Sequence, residues 1–328
     1  MSPLQSFGFS TTADEVANVF ADRIKGRVFL VTGPSPNGIG DATARALARG
    51  HPAALLLVGR NPMKYAPVVD AIHTIDSSIS VSVYGIDFGS LTSVRNGAQK
   101  ILGENKRIDV LINSAGTAGM PLTYTADGIE ETFSTNYVGH FLLTNLLMPA
   151  LKRSEETRVV NVSSVAAFAA SGDYTDFNFK NEPSRYTWEV AYRQSKLVSL
   201  LQHHTSRTAP HTSQANIHFT RALAKRGIVS FALQPGLIWD SNLYPVLSDE
   251  QMELIKSRVK DNNLQSKTPS QGASTSLVAA LDPDLARLSG SYLDDCQVAE
   301  MSEAAKKESA AEELWTLSET LVGQEFRF

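Results

Sequence analysis

The chain has 328 residues, 42% of them apolar and 20% charged, ordinary proportions for a soluble globular protein with a sizeable core. A formal net charge of −4 offers no footprint for nucleic acid, and with no apolar run of about 18 residues no membrane-spanning helix is expected. Cys296 is the only cysteine, which excludes an internal disulfide framework. The polar, acidic N-terminus suits neither a secretory signal nor a transit peptide, so the expected location is the cytoplasm.

Thr12 followed by Glu15 reads as a capping box, opening a short helix that ends near Ile24. The first apolar run, Val28–Thr32, leads into Gly33-Pro34-Ser35-Pro36-Asn37-Gly38-Ile39-Gly40 and then a helical pattern over 40–49. A glycine-rich turn between a strand and a helix lets the backbone approach a pyrophosphate, with the free N–H groups of the helix start facing the anion. The second run, Ala54–Val58, ends in Gly59-Arg60-Asn61 with no acid to take a ribose 2′-hydroxyl. An arginine there suits a 2′-phosphate, so NADP(H) is favoured over NAD.

Further runs at Val81–Gly85, Val110–Asn113, Val159–Val162, Ile228–Leu233 and Ser291–Leu293 alternate with helical patterns near 64–75, 91–103, 128–150, 189–200, 216–226 and 271–281. Several runs are continuously apolar, as parallel strands covered on both faces must be. The alternation predicts one doubly wound α/β domain over 1–328 with a mainly parallel seven-stranded sheet. Two loops are long, 165–188 and 237–270, the second with a helical stretch near 248–260. Phe168, Tyr186, Trp188, Trp239 and Tyr244 lie on them, available to line an apolar pocket or simply to pack the loops.

Tyr192 and Lys196 are four apart on a predicted helix and share a face. A tyrosine ordinarily keeps its proton up to about pH 10, and a neighbouring ammonium favours the phenolate, making the ring hydroxyl a usable acid and base. Such a pair alone is common on surface helices; the motifs around it decide its meaning.

Leu111–Gly116 (LINSAG), Asn136 in NYVGHFLLTNLL, VVNVSS ending at Ser164, AYRQSK, and Gln234–Gly236 (QPG) occur in the order found in short-chain dehydrogenases/reductases. More narrowly, GHFLLTNLL, FTRALAKRG and KTPSQGASTSL followed by LSGSYLDDC resemble the retinol-dehydrogenase-like branch, particularly its fungal members. The resemblance spans about residues 12–320 and implies a Rossmann-type domain. It implies Tyr192 as general acid and base, Lys196 as the group that lowers its pKa and binds the nicotinamide ribose, and Ser164, ahead of Ser163, as the polariser of the substrate carbonyl. Asn136 would hold a water through which protons reach Lys196. For the cofactor it implies Gly33, Ser35, Asn37, Gly38, Ile39 and Gly40 at the phosphates and Arg60 at the 2′-phosphate. Asp87 and Phe88 would border the adenine, Asn113, Ala115 and Gly116 its ribose, and Pro235, Gly236 and Ile238 the nicotinamide. The implied substrate is a small apolar alcohol or carbonyl compound of retinoid, polyketide or terpenoid type, and homodimers and homotetramers are the common assemblies. No metal is called for. The competing class is a weakly catalytic or inactive dinucleotide sensor or scaffold on the same fold; an absent tyrosine, lysine or serine would favour it, and all three are present.

The sequence departs from the family pattern in three places. The glycine turn is one residue longer than the common form, with Asn37 where a long-form turn carries glycine; asparagine tolerates left-handed backbone well. After Pro235-Gly236 the usual threonine is missing, leaving Ser241 to supply its hydroxyl. Between Lys196 and Ala215, Val198–Gln214 is an insertion of 17 residues containing Pro210, which argues against one continuous helix. Its opening Val-Ser can be encoded GTAAGT and its closing Gln CAG, so an unspliced intron and a genuine surface loop are both open. Its histidines, His203, His204 and His211, have no partners at metal spacing, and His140 reads as a packed or hydrogen-bonded residue.

Overall fold

The structure, a computed structural model, describes residues 7–164, 174–195, 215–239, 243, 247–261 and 265–328. Lys196, the insertion 198–214 with its three histidines, Phe168, Ser241 and Tyr244 lie outside the described residues.

Seven parallel strands and one antiparallel one form a single sheet in the order β3-β2-β1-β4-β5-β6-β7-β8: β1 Val28–Thr32, β2 Ala54–Gly59, β3 Ser80–Gly85, β4 Val110–Asn113, β5 Arg158–Val162, β6 Ser230–Leu233, β7 Tyr292–Asp294 and β8 Gln297–Ala299. The four central strands are buried along nearly their whole length, which is why they read as unbroken apolar runs. The expected seven strands are all present; the sheet gains β8, an edge strand of three residues. Asp295 and Cys296, both left-handed at φ 46° and 66°, turn the chain back so sharply that no alternating pattern accompanies it.

Helices cover both faces. One layer holds α1 (Ala13–Val19), α2 (Ala21–Ile24), α3 (Ile39–Ala48), α4 (Ala66–Ile75) and α12 (Pro269–Leu281). The capping box is formed, Thr12 accepting from the Glu15 amide while the Glu15 carboxylate accepts from the Thr12 amide, but the first helix breaks at Phe20. The other layer holds α5 (Leu91–Glu104), α6 (Glu131–Phe133), α7 (Gly139–Leu146), α8 (Met148–Leu151), α9 (Trp188–Ser195), α10 (Ala215–Lys225) and α13 (Glu308–Val322). Outside this pairing, α11 (Asp249–Asp261) lies in the long loop after β6.

The helical pattern at 128–150 is not one helix. Between α6 and α7, Ser134–Val138 adopt π-helical geometry, with the Gly139 amide bonded back to the Ser134 carbonyl. Such a wide turn bulges one residue out of register and recurs at functional sites; here it carries Asn136. C-terminal helix α13 closes the same layer: Trp315 packs edge-on to Phe141 with ring centres 5.0 Å apart, and the Tyr137 and Ser318 hydroxyls lie 2.6 Å apart in the core. Each such large apolar side chain, fully buried, contributes about 1.5–3 kcal/mol.

The order of strands reverses between β1 and β4, whose neighbours lead away in opposite directions. In an open parallel sheet the crevice for a ligand lies at that switch, beyond the carboxyl ends of the strands.

Candidate active site

A cleft of about 970 Å³ occupies the switch point. Its floor is the glycine turn. Gly33, at φ +70°, donates its amide to the Val58 carbonyl at 2.8 Å, and a Cβ on it would stand 2.7 Å from the Ala115 Cα. A Cβ on Gly40 would meet the Gly33 carbonyl oxygen at 2.4 Å, so strand end and helix start touch backbone to backbone. Asn37 takes the left-handed conformation anticipated for it, φ 63°, and its amide is held by the Asp41 carboxylate at 2.8 Å. Gly38 precedes α3 without a side-chain cap, leaving the first-turn amides to an anionic ligand. Gly33, Ser35, Gly38, Ile39 and Gly40 line the cleft, whereas Asn37 serves the turn and is not among its lining residues.

One end of the cleft is basic. Arg60 is exposed at the end of β2, and Lys64 joins it from the short 3₁₀ turn Pro62–Tyr65, with Asn61 between them. Nothing in the sequence pattern sets Lys64 apart; the 3₁₀ turn is what brings it to the cleft beside Arg60. Asp87 and Phe88 line the same half.

Phe88 stacks on His140 at 4.2 Å, and the histidine anchors the centre of the site. The Thr32 hydroxyl accepts from the amides of Ser114 and Ala115, both at 2.9 Å, and lies 3.0 Å from His140 Nε2. With both lone pairs engaged, that hydroxyl donates to Nε2, which leaves the imidazole neutral with its proton on Nδ1. Nδ1 in turn donates to the Asn136 carbonyl at 3.2 Å. His140 is therefore the hydrogen-bonded core residue its motif suggested.

Ala115 and Gly116 line the middle of the cleft, but Asn113 does not: its side-chain amide donates to Thr144 at 3.1 Å and Asn161 at 2.9 Å inside the protein. Asn136 is fully buried, with its amide donating to the Thr117 carbonyl at 2.9 Å and to the Ser195 hydroxyl at 2.8 Å, and its side-chain oxygen accepting from the Thr117 amide. Ser195 passes the connection on, donating to the Tyr192 carbonyl at 3.0 Å. The π-helical turn is thus tied through one serine to the helix that presents Tyr192. Ser195 went unnoticed in the sequence because nothing in SK signals which serine faces inward.

Tyr192 is 4% exposed and lines the cleft together with Ser163 and Pro235. Ser164, the preferred candidate, is half-buried directly after Ser163, and its carbonyl accepts from the Tyr292 hydroxyl at 3.1 Å. Gly236 and Ile238 follow Pro235 without lining the cleft. Beyond Tyr192 the lining mixes polar Thr117, Glu131 and Thr135 with apolar Met120 and Leu243. The Ala118 amide binds the Leu243 carbonyl at 2.8 Å, and Tyr186 donates to the Met120 carbonyl at 2.7 Å. Of the loop aromatics within the described residues, Tyr186, Trp188 and Trp239 are all half-buried and none lines the cleft; Tyr186 reaches it only through its hydroxyl on the Met120 carbonyl.

Next to the cleft-lining Glu131, Glu130 caps α6, its carboxylate accepting from the amides of Thr132 and Phe133 at 2.9 and 2.7 Å. Burial pushes its carboxyl up to about 7, the backbone hydrogen bonds opposing the shift. With its folded-state pKa raised, the group holds its proton more tightly in the folded chain, so its contribution to stability falls as pH rises from 4.5 through 7. Relative to Glu130→Gln, which does not titrate, the wild-type protein should therefore lose about 2–3 kcal/mol between pH 5 and pH 8. Paired denaturant titrations at the two pH values measure this; a constant difference would contradict it.

Residues 27–176 match the short chain dehydrogenase family. The chain is 35% identical to retinol dehydrogenase 12 of Mus musculus over 305 residues, covering 92% of this chain and 88% of that protein. It is 36% identical to retinol dehydrogenase 11 of Homo sapiens over 312 residues, covering 92% and 87%. Among solved structures, an uncharacterised protein from Mycobacterium paratuberculosis superposes with a TM-score of 0.65 at 29% identity, covering 93% of this chain and 96% of that one.

Proposed function

Because the chain belongs to the short-chain dehydrogenase family, oxidoreductases of alcohols and carbonyls that use a nicotinamide dinucleotide, we propose that it reduces or forms a carbonyl on a small apolar molecule with NADP(H). The observation that carries this reading is the layout of one cleft: a glycine turn at its floor, Arg60 and Lys64 at one end, Tyr192 with Met120 and Leu243 elsewhere. The glycines let strand end and helix start pack backbone to backbone, and the start of α3, with no side-chain cap on its first amides, lines the cleft, so the residues present fit a dinucleotide.

When bound, the dinucleotide supplies or accepts the hydride. The chain's own residues manage the proton and the geometry. Tyr192 gives its hydroxyl proton to the carbonyl oxygen in reduction and takes it back in oxidation. Lys196, one residue past the described end of α9, favours the phenolate. Ser164 polarises the carbonyl oxygen, with the cleft-lining Ser163 as the alternative donor. Asn136 serves by fixing α9 through Ser195. Met120 and Leu243 exclude water from the reacting carbon, with Tyr186 steadying Met120 through its carbonyl, consistent with a retinoid-, polyketide- or terpenoid-like substrate. Among the described residues no helix is long and apolar enough to cross a membrane. The cytoplasmic location expected from the sequence is part of this proposal.

The test is a panel of apolar aldehydes and ketones offered to the purified protein with NADPH, followed by NADPH absorbance. At least one carbonyl should be turned over, with kcat/KM rising as the substrate becomes more apolar. Tight NADPH binding with no turnover across the panel would instead support the dinucleotide-sensor reading.

A further inference from the structure

The loop that follows β6 is held from behind by an ion pair between a buried lysine and a partly exposed aspartate. Lys267 has a side chain 1% exposed, yet it carries a charge deep beneath the loop and places it 2.5 Å from Asp295. Burying an ammonium is costly and a buried pair is a weak source of net stability; what such a pair supplies is geometry.

Three separate contacts show where that geometry is applied. The Lys267 amide donates to the Leu237 carbonyl at 2.7 Å, next to a parallel bridge between Leu237 and Ser266. The lysine stem lies directly against Gly236, where a Cβ would stand 2.8 Å from the Lys267 Cδ; Gly236 itself is left-handed at φ +87°. From the other side, the Gln234 side chain donates to Asp294 and accepts from the Gly236 amide at 2.9 Å. Asp294 and Asp295 are consecutive residues at the turn between β7 and β8, so one hairpin grips both ends of the segment Gln234-Pro235-Gly236-Leu237. The Phe9 ring, 4.9 Å from the ammonium, packs against the pair.

We propose that the Lys267–Asp295 ion pair, with the Gln234–Asp294 hydrogen bond, is a positioning device that sets the height of the Pro235-Gly236-Leu237 loop against the nicotinamide half of the cofactor. The inference rests on the reading that the cleft holds a nicotinamide dinucleotide with that half at Pro235, the loop residue that lines the cleft. It also gives the extra strand β8 a purpose, because without the hairpin neither aspartate would face the loop. Lys267 and Asp295 act through the loop and touch no reacting atom.

The experiment compares binding of NADPH with binding of adenosine 2′,5′-bisphosphate, which keeps the adenosine and its phosphates but has no nicotinamide. Calorimetric titrations are made on the wild-type full chain, Lys267→Met, Lys267→Arg and Asp295→Asn. Lys267→Met should weaken NADPH at least about tenfold and leave the bisphosphate within about twofold, while Lys267→Arg recovers most of the loss. Asp295→Asn, at a carboxylate that is 37% exposed and therefore milder to alter, should shift NADPH in the same direction by about threefold or more. A general loss of structure would lower the binding stoichiometry for both ligands alike, so parallel losses, or unchanged NADPH affinity in folded Lys267→Met and Asp295→Asn, would overturn the proposal. Should Lys267→Met not fold, Asp295→Asn alone decides by the same criterion. Wild-type protein that binds neither ligand, nor NADH, would overturn the cofactor reading and the clamp with it.

Discussion

Tyr192→Phe is expected to lower kcat for carbonyl reduction at least about a hundredfold while leaving the Kd for NADPH within about twofold. General acid–base catalysis by a positioned side chain contributes about 10²–10⁴ in rate, and this substitution removes the only atom that could deliver it from the ring. The cost to structure is small because the ring stays. Tyr192 is 4% exposed, and α9 is held by the Ser195 hydroxyl on the Tyr192 backbone carbonyl, a contact that phenylalanine retains. Ser195 in turn takes its orientation from the Asn136 amide at 2.8 Å, a link to the π-helical turn that the substitution leaves in place. A fall confined to kcat, with KM for the cofactor unchanged, marks an interaction made in the transition state rather than in binding. Retained turnover in a variant that binds NADPH normally would remove Tyr192 from the chemistry and leave Ser163 or Ser164 without a proton donor to assist.

How far the sequence foretold this arrangement depended on which forces were local. Continuous apolar runs announced the central strands because both faces of β1, β4, β5 and β6 are buried, a demand every residue must meet. The glycine turn was legible for a similar reason: its backbone contacts, Gly40 against Gly33 and Gly33 against Ala115, tolerate no Cβ. Where tertiary contacts decided the outcome, the sequence was silent. The π-helical turn around Asn136 interrupts an apolar period that looks uninterrupted over 128–150. Asn113 was expected at the ribose, yet it pairs with Asn161 directly across the sheet, an identity of partners visible only in the register of β4 on β5. The C-terminal helix α13 is a different case, since Ala311, Leu314, Trp315, Ser318 and Val322 recur at helical spacing and are all buried. Its signal was there to be read; it simply lies beyond the strand that completes the expected fold. Lys64 and Lys267 were hidden because a lysine's role depends on what its long stem reaches, and that is set by the 3₁₀ turn in one case and by the β7–β8 hairpin in the other.

The basic end of the cleft supplies the second large effect. Arg60→Ala combined with Lys64→Ala should raise the Kd for NADPH by about 10- to 100-fold and leave NADH within about twofold, with Arg60→Ala alone giving the larger share. The two cofactors differ only in the 2′-phosphate, so a loss seen with one and not the other isolates that group. Residues 59–65 contain no carboxylate that would favour a ribose hydroxyl, and the two cations approach from consecutive turns of chain after β2. A charge-assisted hydrogen bond to phosphate contributes about 1.5–3 kcal/mol, and a guanidinium can make two at once, which is why the arginine should dominate. Exposure limits the gain: Arg60 stands in solvent, where screening weakens each contact, so the expected loss sits well below the sum of two buried pairs. The same screening gives an independent check. Raising the salt concentration should weaken NADPH binding to the wild-type protein more steeply than to the double variant, and should affect NADH little in either. Equal losses for both cofactors on removing the two cations would place Arg60 and Lys64 at the pyrophosphate rather than the 2′-phosphate, and NADP(H) would lose its structural support.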